Sequence, residues 1–160
     1  MDKEQRLNSI DLLEEKSNAF DFALDLSETI LTFRPFPDAW TIKEQIGHCL
    51  DVDIANFHRY RKAIAQPEGQ IISFTGVWTS ALNYQSVDLA SAIELIKNVR
   101  KFMTAHLKTI VDHDWKKYAY LHDEKGRVNL EEALTDYAAH AEFHRKLIDR
   151  NIELFKSKKE

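Results

Sequence analysis

The segment Asp136-Tyr-Ala-Ala-His-Ala-Glu-Phe-His-Arg-Lys146 carries the strongest structural signal in the chain, because His140 and His144 stand four positions apart. On an α-helix this spacing puts both imidazoles on one face, one turn apart, as two ligands of one metal ion must be. Apolar residues on the same side predict that this face turns toward a core. They are Ala133, Tyr137, Leu147, Ile148 and Phe155. Two core-facing histidines are either metal ligands or imidazoles bonded to buried partners.

The composition favours one all-α domain. With 160 residues the chain can bury a core of its own, and we expect residues 1–160 to form a single domain. Only 4 Gly and 3 Pro are present, and the prolines lie in two short stretches, which leaves long segments suited to helices. The lone Cys49 excludes an internal disulfide and is typical of a reducing compartment.

Charge and hydropathy exclude several classes of partner. The net charge is -4, and both signs are mixed along the chain, so no basic stripe is available for a phosphate backbone. We therefore expect no nucleic-acid partner. The amino terminus is charged and leads into an amphipathic segment, so neither a signal peptide nor a membrane span is indicated. These observations predict a cytoplasmic protein with no membrane partner.

Four long helices are predicted from signals that start and end helices and from the apolar periodicity between them. The predicted helices run from about Asp2 to Phe33, from a capping box at Thr41-Ile-Lys-Glu44 to about Ala65, from about Asp88 to Val111, and from a cap at Asn129-Leu-Glu-Glu132 to about Phe155. The first of them is apolar on two faces, and the second face includes Leu26 and Ile30. Either a wide core contact or a homodimer interface accounts for that face. We expect a homodimer.

Two connecting segments are predicted to be structured. Residues 66–86 contain three large aromatic residues, Phe74, Trp78 and Tyr84, and this segment is interpreted as a lid or a short extra helix. Residues 118–128 have a pattern typical of a small hairpin that turns at Gly126.

A third histidine, His48, lies in the run Trp40-Thr-Ile-Lys-Glu-Gln-Ile-Gly-His-Cys-Leu-Asp51. This run, Asn83-Tyr84, the Gly126 turn and the His140/His144 pair resemble the DinB/YfiT-like superfamily in their order and separations, from roughly Leu7 to Phe155. The resemblance implies an up-down-down-up four-helix bundle. It also implies a divalent metal ion, bound by one histidine on the second helix and a His-x-x-x-His on the fourth. The matching positions are His48, His140 and His144.

The expected chemistry follows from the number of ligands. Three neutral imidazoles leave a tetrahedral ion one open position, which water or a thiol can occupy. Ligand softness does not choose among zinc, nickel, iron and copper, and the resemblance favours zinc or nickel. The resemblance to thiol S-transferases of the superfamily implies an enzyme that adds a low-molecular-weight thiol, such as bacillithiol or mycothiol, to a small-molecule electrophile. A metal-dependent hydrolase and a non-enzymatic metal-binding or stress-associated protein are the alternatives.

Three further residues have two interpretations each. Asp53 lies within the apolar arc of the second helix, where it either pairs with an internal Arg or Tyr or accepts a hydrogen bond from a ligand histidine. His106 is either a satisfied core histidine or a contributor to the site. Cys49 adjoins His48 but projects about 100° away on a helix, so we interpret it as a buried small hydrophobe rather than a ligand.

Overall fold

The computed structural model describes residues 1–73 and 75–158. Its α-helices are α1 (Lys3–Glu15), α2 (Glu28–Leu31), α3 (Ile42–Ala65), α4 (Trp78–Ala81), α5 (Leu89–Thr109) and α6 (Leu130–Ser157). Its strands are β1 (Gly69–Ile71), β2 (Ala119–His122) and β3 (Gly126–Asn129). The four long helices α1, α3, α5 and α6 form the predicted bundle. Among the described residues, no helix combines the length and apolar character that crossing a membrane requires.

Helices α1 and α6 run in the same direction, and α3 runs opposite to both. Arg6 in the first turns of α1 pairs with Glu131 at the start of α6, with Nη2 and Oε1 2.8 Å apart. Asn151 near the end of α6 donates to the backbone carbonyl of Trp40, just before α3, over 2.7 Å. The start of α3 therefore meets the end of α6, which brings the middle of α3 beside the middle of α6.

Helix α5 completes the bundle by running parallel to α3. Lys3 at the start of α1 lies 2.8 Å from a carboxylate oxygen of Asp112, beyond the end of α5. The rings of Tyr60 and His106, in the later turns of α3 and α5, have centroids 5.8 Å apart. These contacts establish an up-down-down-up order for the four long helices.

The two longest helices, α3 and α6, begin at capping boxes that the sequence predicts. At α3 the Thr41 side chain accepts from the Glu44 amide, and the Glu44 carboxylate accepts from the Thr41 amide. At α6 Asn129 and Glu132 form the same reciprocal pair. Each box satisfies amides that have no partner within the helix, so both helix starts are set by local sequence.

The predicted continuous first helix across residues 2–33 is wrong, because α1 ends early and the chain continues through short 3₁₀ turns. Arginines of α5 and α6 account for the break. Arg100 donates to the Lys16 carbonyl over 2.6 Å, and Arg145 donates to the Ala19 carbonyl over 2.8 Å. In a continuous α-helix those carbonyls would accept from the amide four positions further on. The Lys16 carbonyl instead accepts from the Ala19 amide, three positions on, as well as from Arg100, and the Ala19 carbonyl accepts from Arg145.

The second apolar face of this region has partners within the chain. Leu26 and Ile30 pack against a core cluster that contains Phe20, Ile46 and Ile148. The cluster therefore uses apolar side chains on which the homodimer expectation rested. The homodimer stays a prediction.

A three-stranded sheet lies beside the bundle. Strand β2 pairs with β1 in parallel and with β3 in antiparallel, and Gly126, with φ of 72°, adopts the left-handed conformation where β3 begins. The sheet packs against the bundle through a small cluster of buried residues, Ala63, Ile71, Tyr120 and Val128. Helix α4 lies in the segment that we interpret as a lid, and Phe74 of that segment is outside the described residues. The sheet thus forms a wall above α3 and α6.

Candidate metal centre

His48, His140 and His144 meet at one point between α3 and α6. The Nε2 atom of His140 lies 3.3 Å from Nε2 of His48 and 3.1 Å from Nε2 of His144. One ring nitrogen from each residue lies within 4.8 Å of the other two. The antiparallel arrangement of α3 and α6 brings His48 opposite His140 and His144, although His140 is 92 positions away in sequence.

The separations of these nitrogens suit a tetrahedral metal ion. Zinc binds imidazole nitrogen at about 2.0 to 2.1 Å, which places two ligands of a regular tetrahedron about 3.3 Å apart. With their hydrogens on Nδ1, three neutral imidazoles in this arrangement would each have a lone pair on Nε2, and a cation between the three Nε2 atoms would accept all of them. The donor set therefore fits a divalent ion bound by three nitrogens with one further position open.

Gln45 orients one of the three rings. Its side-chain oxygen Oε1 accepts from Nδ1 of His144 over 2.5 Å, and both side chains are buried. A hydrogen on Nδ1 leaves the lone pair on Nε2, the atom that faces His140. Such hydrogen bonds fix the tautomer and the orientation of metal-binding histidines.

Burial keeps the cluster neutral. It lowers the pKa of His48, lowers that of His140 to about 4 and lowers that of His144 to about 3. The neighbouring imidazoles act in the same direction on His140 and His144, because two cations cannot approach closely. Neutral imidazole is the form that binds a metal ion, so the three rings are in that form at neutral pH.

Trp40 forms an aromatic wall beside the cluster. Its ring centroid lies 4.9 Å from that of His48 and 6.1 Å from that of His144. The rings of Trp40 and His144 are nearly parallel. The hydrogen bond from Asn151 holds the backbone of Trp40 in place. The indole also lies close to Gly76, where an added Cβ would stand 3.0 Å from the ring. Trp40 therefore has little freedom to move away from the histidines.

Two clefts meet at the histidine cluster. The first, here called the sheet-side cleft, has a volume of about 220 Å³ and is lined by His48 and His140. The second, here called the indole-side cleft, has a volume of about 470 Å³ and is lined by Trp40, His48 and His144. Because His48 lines both clefts, small molecules can approach the cluster from two directions.

The residues with two interpretations lie outside the cluster. Asp53 accepts from Nε of Arg100 at 3.1 and 3.2 Å, and both side chains are buried, so the internal ion pair is the correct interpretation. Burial raises the pKa of Asp53, which the Arg100 charge opposes. His106 packs its ring against Tyr60 instead of joining the cluster. Cys49 is buried, and burial raises the pKa of its thiol, as expected for an inert core residue.

Three residues of the cluster and its sheet-side cleft were not among the sequence-based site predictions. Gln45 lies three positions before His48, so helical spacing could have indicated a shared face, although not its bond to His144. Arg59 and His122 line the sheet-side cleft. His122 comes from a strand, and its sequence separation from the other histidines carries no periodic signal.

Comparisons with known proteins agree with this fold. YfiT of Bacillus subtilis (strain 168), which is provisionally named a metal-dependent hydrolase, is 24% identical over 144 residues, covering 89% of this chain and 81% of the relative. A solved structure of Bacillus subtilis YfiT, described as an unusual four-helix bundle, matches with a TM-score of 0.86 at 22% identity, over 94% of this chain and 87% of that one. This likeness shows a shared fold. The model of the DinB superfamily matches residues 12–148. The chain therefore belongs to the DinB superfamily.

Proposed function

We propose that this protein is a metal-dependent enzyme that acts on a small molecule, with a divalent ion held by His48, His140 and His144. The observation that carries this proposal is the convergence of three neutral ring nitrogens at spacings of 3.1 and 3.3 Å, at a point open to two clefts. Closed structural zinc sites have four protein ligands, whereas three ligands beside a cleft are typical of catalytic sites. Zinc or nickel is the proposed ion.

A divalent ion at this position supplies Lewis-acid activation of a nucleophile, either water or a thiol, at its open position. The protein contributes positioning. Gln45 keeps the lone pair of His144 Nε2 directed at the common centre. Trp40 shields the rings of His48 and His144 from water on one side. The clefts leave room for a substrate next to the histidines.

Hydrolysis is the reaction that we propose first. Support comes from the relative named a metal-dependent hydrolase, which the chain matches over most of both lengths. In this reaction water would be the nucleophile, and one cleft would be enough for the substrate.

Transfer of a low-molecular-weight thiol is the second candidate, and the presence of two clefts favours it. A transferase must hold a thiol and an electrophile at the same time. The sheet-side and indole-side clefts both reach the cluster, so each could hold one of the two substrates. The ion would serve either reaction, because the reactions differ in the nucleophile at the open position.

The metal site is tested by replacing His144 with Ala. This variant should lose the bound ion and keep its helical content, because the bundle has core clusters apart from the histidines. His106→Ala is the matched control, since His106 lies in the bundle without joining the cluster. Elemental analysis measures the metal, and circular dichroism measures the helices. Full occupancy in His144→Ala would contradict the assignment.

The reaction is tested on metal-loaded wild-type protein. One panel of esters and amides tests hydrolysis, and a panel of thiols with a chlorinated electrophile tests transfer. Turnover that disappears with chelator and with His144→Ala identifies the reaction. A stoichiometric ion without turnover in either panel would instead support a metal-binding protein with no enzymatic activity.

A further inference from the structure

The sheet-side cleft is a trough with the histidines at one end. From α3 it is lined by His48, Val52, Asn56 and Arg59, residues spaced three or four apart and therefore on one helix face. From α6 it is lined by Ala133, Tyr137 and His140, which are likewise three or four apart, and by Asp136 beside Tyr137. At a rise of about 1.5 Å per residue, the backbone of Arg59 lies about 16 Å along α3 from that of His48. The trough therefore suits an elongated molecule.

Arg59 is a half-buried cation in this trough. Among the described residues, each of the other arginines has a hydrogen bond, an ion pair or an aromatic ring beneath its guanidinium. Within the same described part of the chain, the Arg59 guanidinium has none of these contacts. Its charge still acts within the cleft, because it opposes the upward effect of burial on the pKa of Tyr120. A guanidinium presents five N–H donors in a planar fork, which matches a carboxylate or phosphate.

Among the described residues that line the trough, Arg59 is the cation that has no ionic partner. Lys125 pairs with Asp136 over 2.6 Å, and both side chains are largely exposed. Glu124 is exposed, and its backbone amide is bonded to His122. Asp136 and Glu132 also act on this region, because their charges raise the pKa of Tyr120. Among the described residues, however, no carboxylate is hydrogen-bonded to the Arg59 guanidinium or forms an ion pair with it, so its donors are available to a bound anion.

His122 adds a second donor to the trough. Its ring is 7% exposed, and its Nδ1 accepts from the amide of Glu124 over 3.2 Å. A ring nitrogen that accepts a hydrogen bond carries no hydrogen in the neutral ring, so the hydrogen lies on Nε2. The neutral ring can therefore donate to an anion through Nε2.

We propose that the sheet-side cleft selects an elongated substrate with an anionic group, a carboxylate or a phosphate, which Arg59 binds at the end of the molecule opposite to its reacting bond. The position of the reacting end at the histidines rests on the proposed function. The binding of the anionic end rests on Arg59 and the trough. The two parts can therefore be tested separately.

The test measures anion binding by metal-free protein, so that no anion can bind through a metal ion. Glutarate and inorganic phosphate are titrated separately, and amide chemical shifts report binding, with neutral glutaramide as the ligand control. Wild-type protein should bind at least one of the two anions saturably, and shifts should centre on the residues of the trough. Arg59→Gln should weaken binding at least fivefold. Arg61→Gln removes the same charge from an exposed position on α3 and should leave the affinity unchanged.

Equal affinity in Arg59→Gln and wild type, equal binding of glutaramide, or no saturable binding would overturn the proposal. Arg59→Lys keeps the charge without the planar fork, and it serves as the second variant if Arg59→Gln does not fold. Metal content is measured in parallel on metal-loaded samples and should be the same in wild type and both Arg59 variants. Failure to bind metal would refute the proposed function while the anion titration still decides the role of Arg59. The tighter of the two anions identifies the group that the cleft recognises.

Discussion

Replacing Gln45 with Leu should weaken metal binding while leaving the bundle folded. The side chain of Gln45 is 2% exposed, and its Oε1 accepts the hydrogen on Nδ1 of His144. Leucine fills a similar volume without an acceptor. In the metal-bound state Nε2 of His144 must present its lone pair to the ion, so the hydrogen has to remain on Nδ1 without a partner.

The size of the effect follows from that lost partner. An unsatisfied buried donor costs about 1 to 3 kcal/mol. Loss of a hydrogen bond that orients a metal-binding histidine typically lowers metal affinity by about 10- to 100-fold, or about 1.4 to 2.7 kcal/mol. In the metal-free protein the hydrogen of His144 can move to Nε2, which faces the other imidazoles. The loss should therefore be larger in metal affinity than in the stability of the metal-free fold.

The measurement is the Kd for zinc, obtained by competition with a chromophoric chelator at pH 7.5. Gln45→Leu should raise this Kd by about 10- to 100-fold. Gln45→Glu keeps an acceptor in place and makes the ring more basic, so its Kd should equal or fall below that of wild type. Gln66→Leu, at the exposed end of α3, is the matched control and should have the wild-type Kd. A Kd for Gln45→Leu within twofold of wild type would refute the role assigned to Gln45.

Two further predictions concern buried titratable side chains. Asp53→Ala should lower the free energy of unfolding by about 3 to 5 kcal/mol, because it leaves Arg100 buried without a counter-ion. A urea unfolding midpoint equal to that of wild type would contradict this prediction. In metal-free protein, NMR titration should give a pKa near 4 for His140 and near 3 for His144. The unfolded chain binds protons at these residues below about pH 6.5 while the folded chain does not, so stability should fall as the pH decreases from about 6.5 toward 4. Unchanged thermal melts over that range would show that the rings are not protected from protonation.

Local sequence was sufficient for the parts of the fold that depend on neighbours in the chain. The starts of α3 and α6 follow from Thr41 with Glu44 and from Asn129 with Glu132, because a capping box joins residues three positions apart. The shared face of His140 and His144 follows from helical periodicity in the same way. The position of His48 near them was expected only from the resemblance to a family, since nothing in the spacing of α3 identifies its partner.

The remaining features depend on side chains that are distant in sequence. The first helix ends early because Arg100 and Arg145 bind carbonyls near its predicted middle, and no pattern within residues 2–33 reports donors from α5 and α6. Gln45 orients His144 across 99 positions, and Arg59 faces a trough whose wall includes β2, a strand that follows two further helices in the chain. Periodicity records which face of a helix is buried, whereas the packing of helices and sheet decides which polar groups meet there. The sequence therefore determined the starts of α3 and α6 and the histidine pair. Tertiary structure decided where the first helix ends, how the site is oriented and what shape its clefts have, because hydrogen bonds and cavities depend on distance in space rather than along the chain.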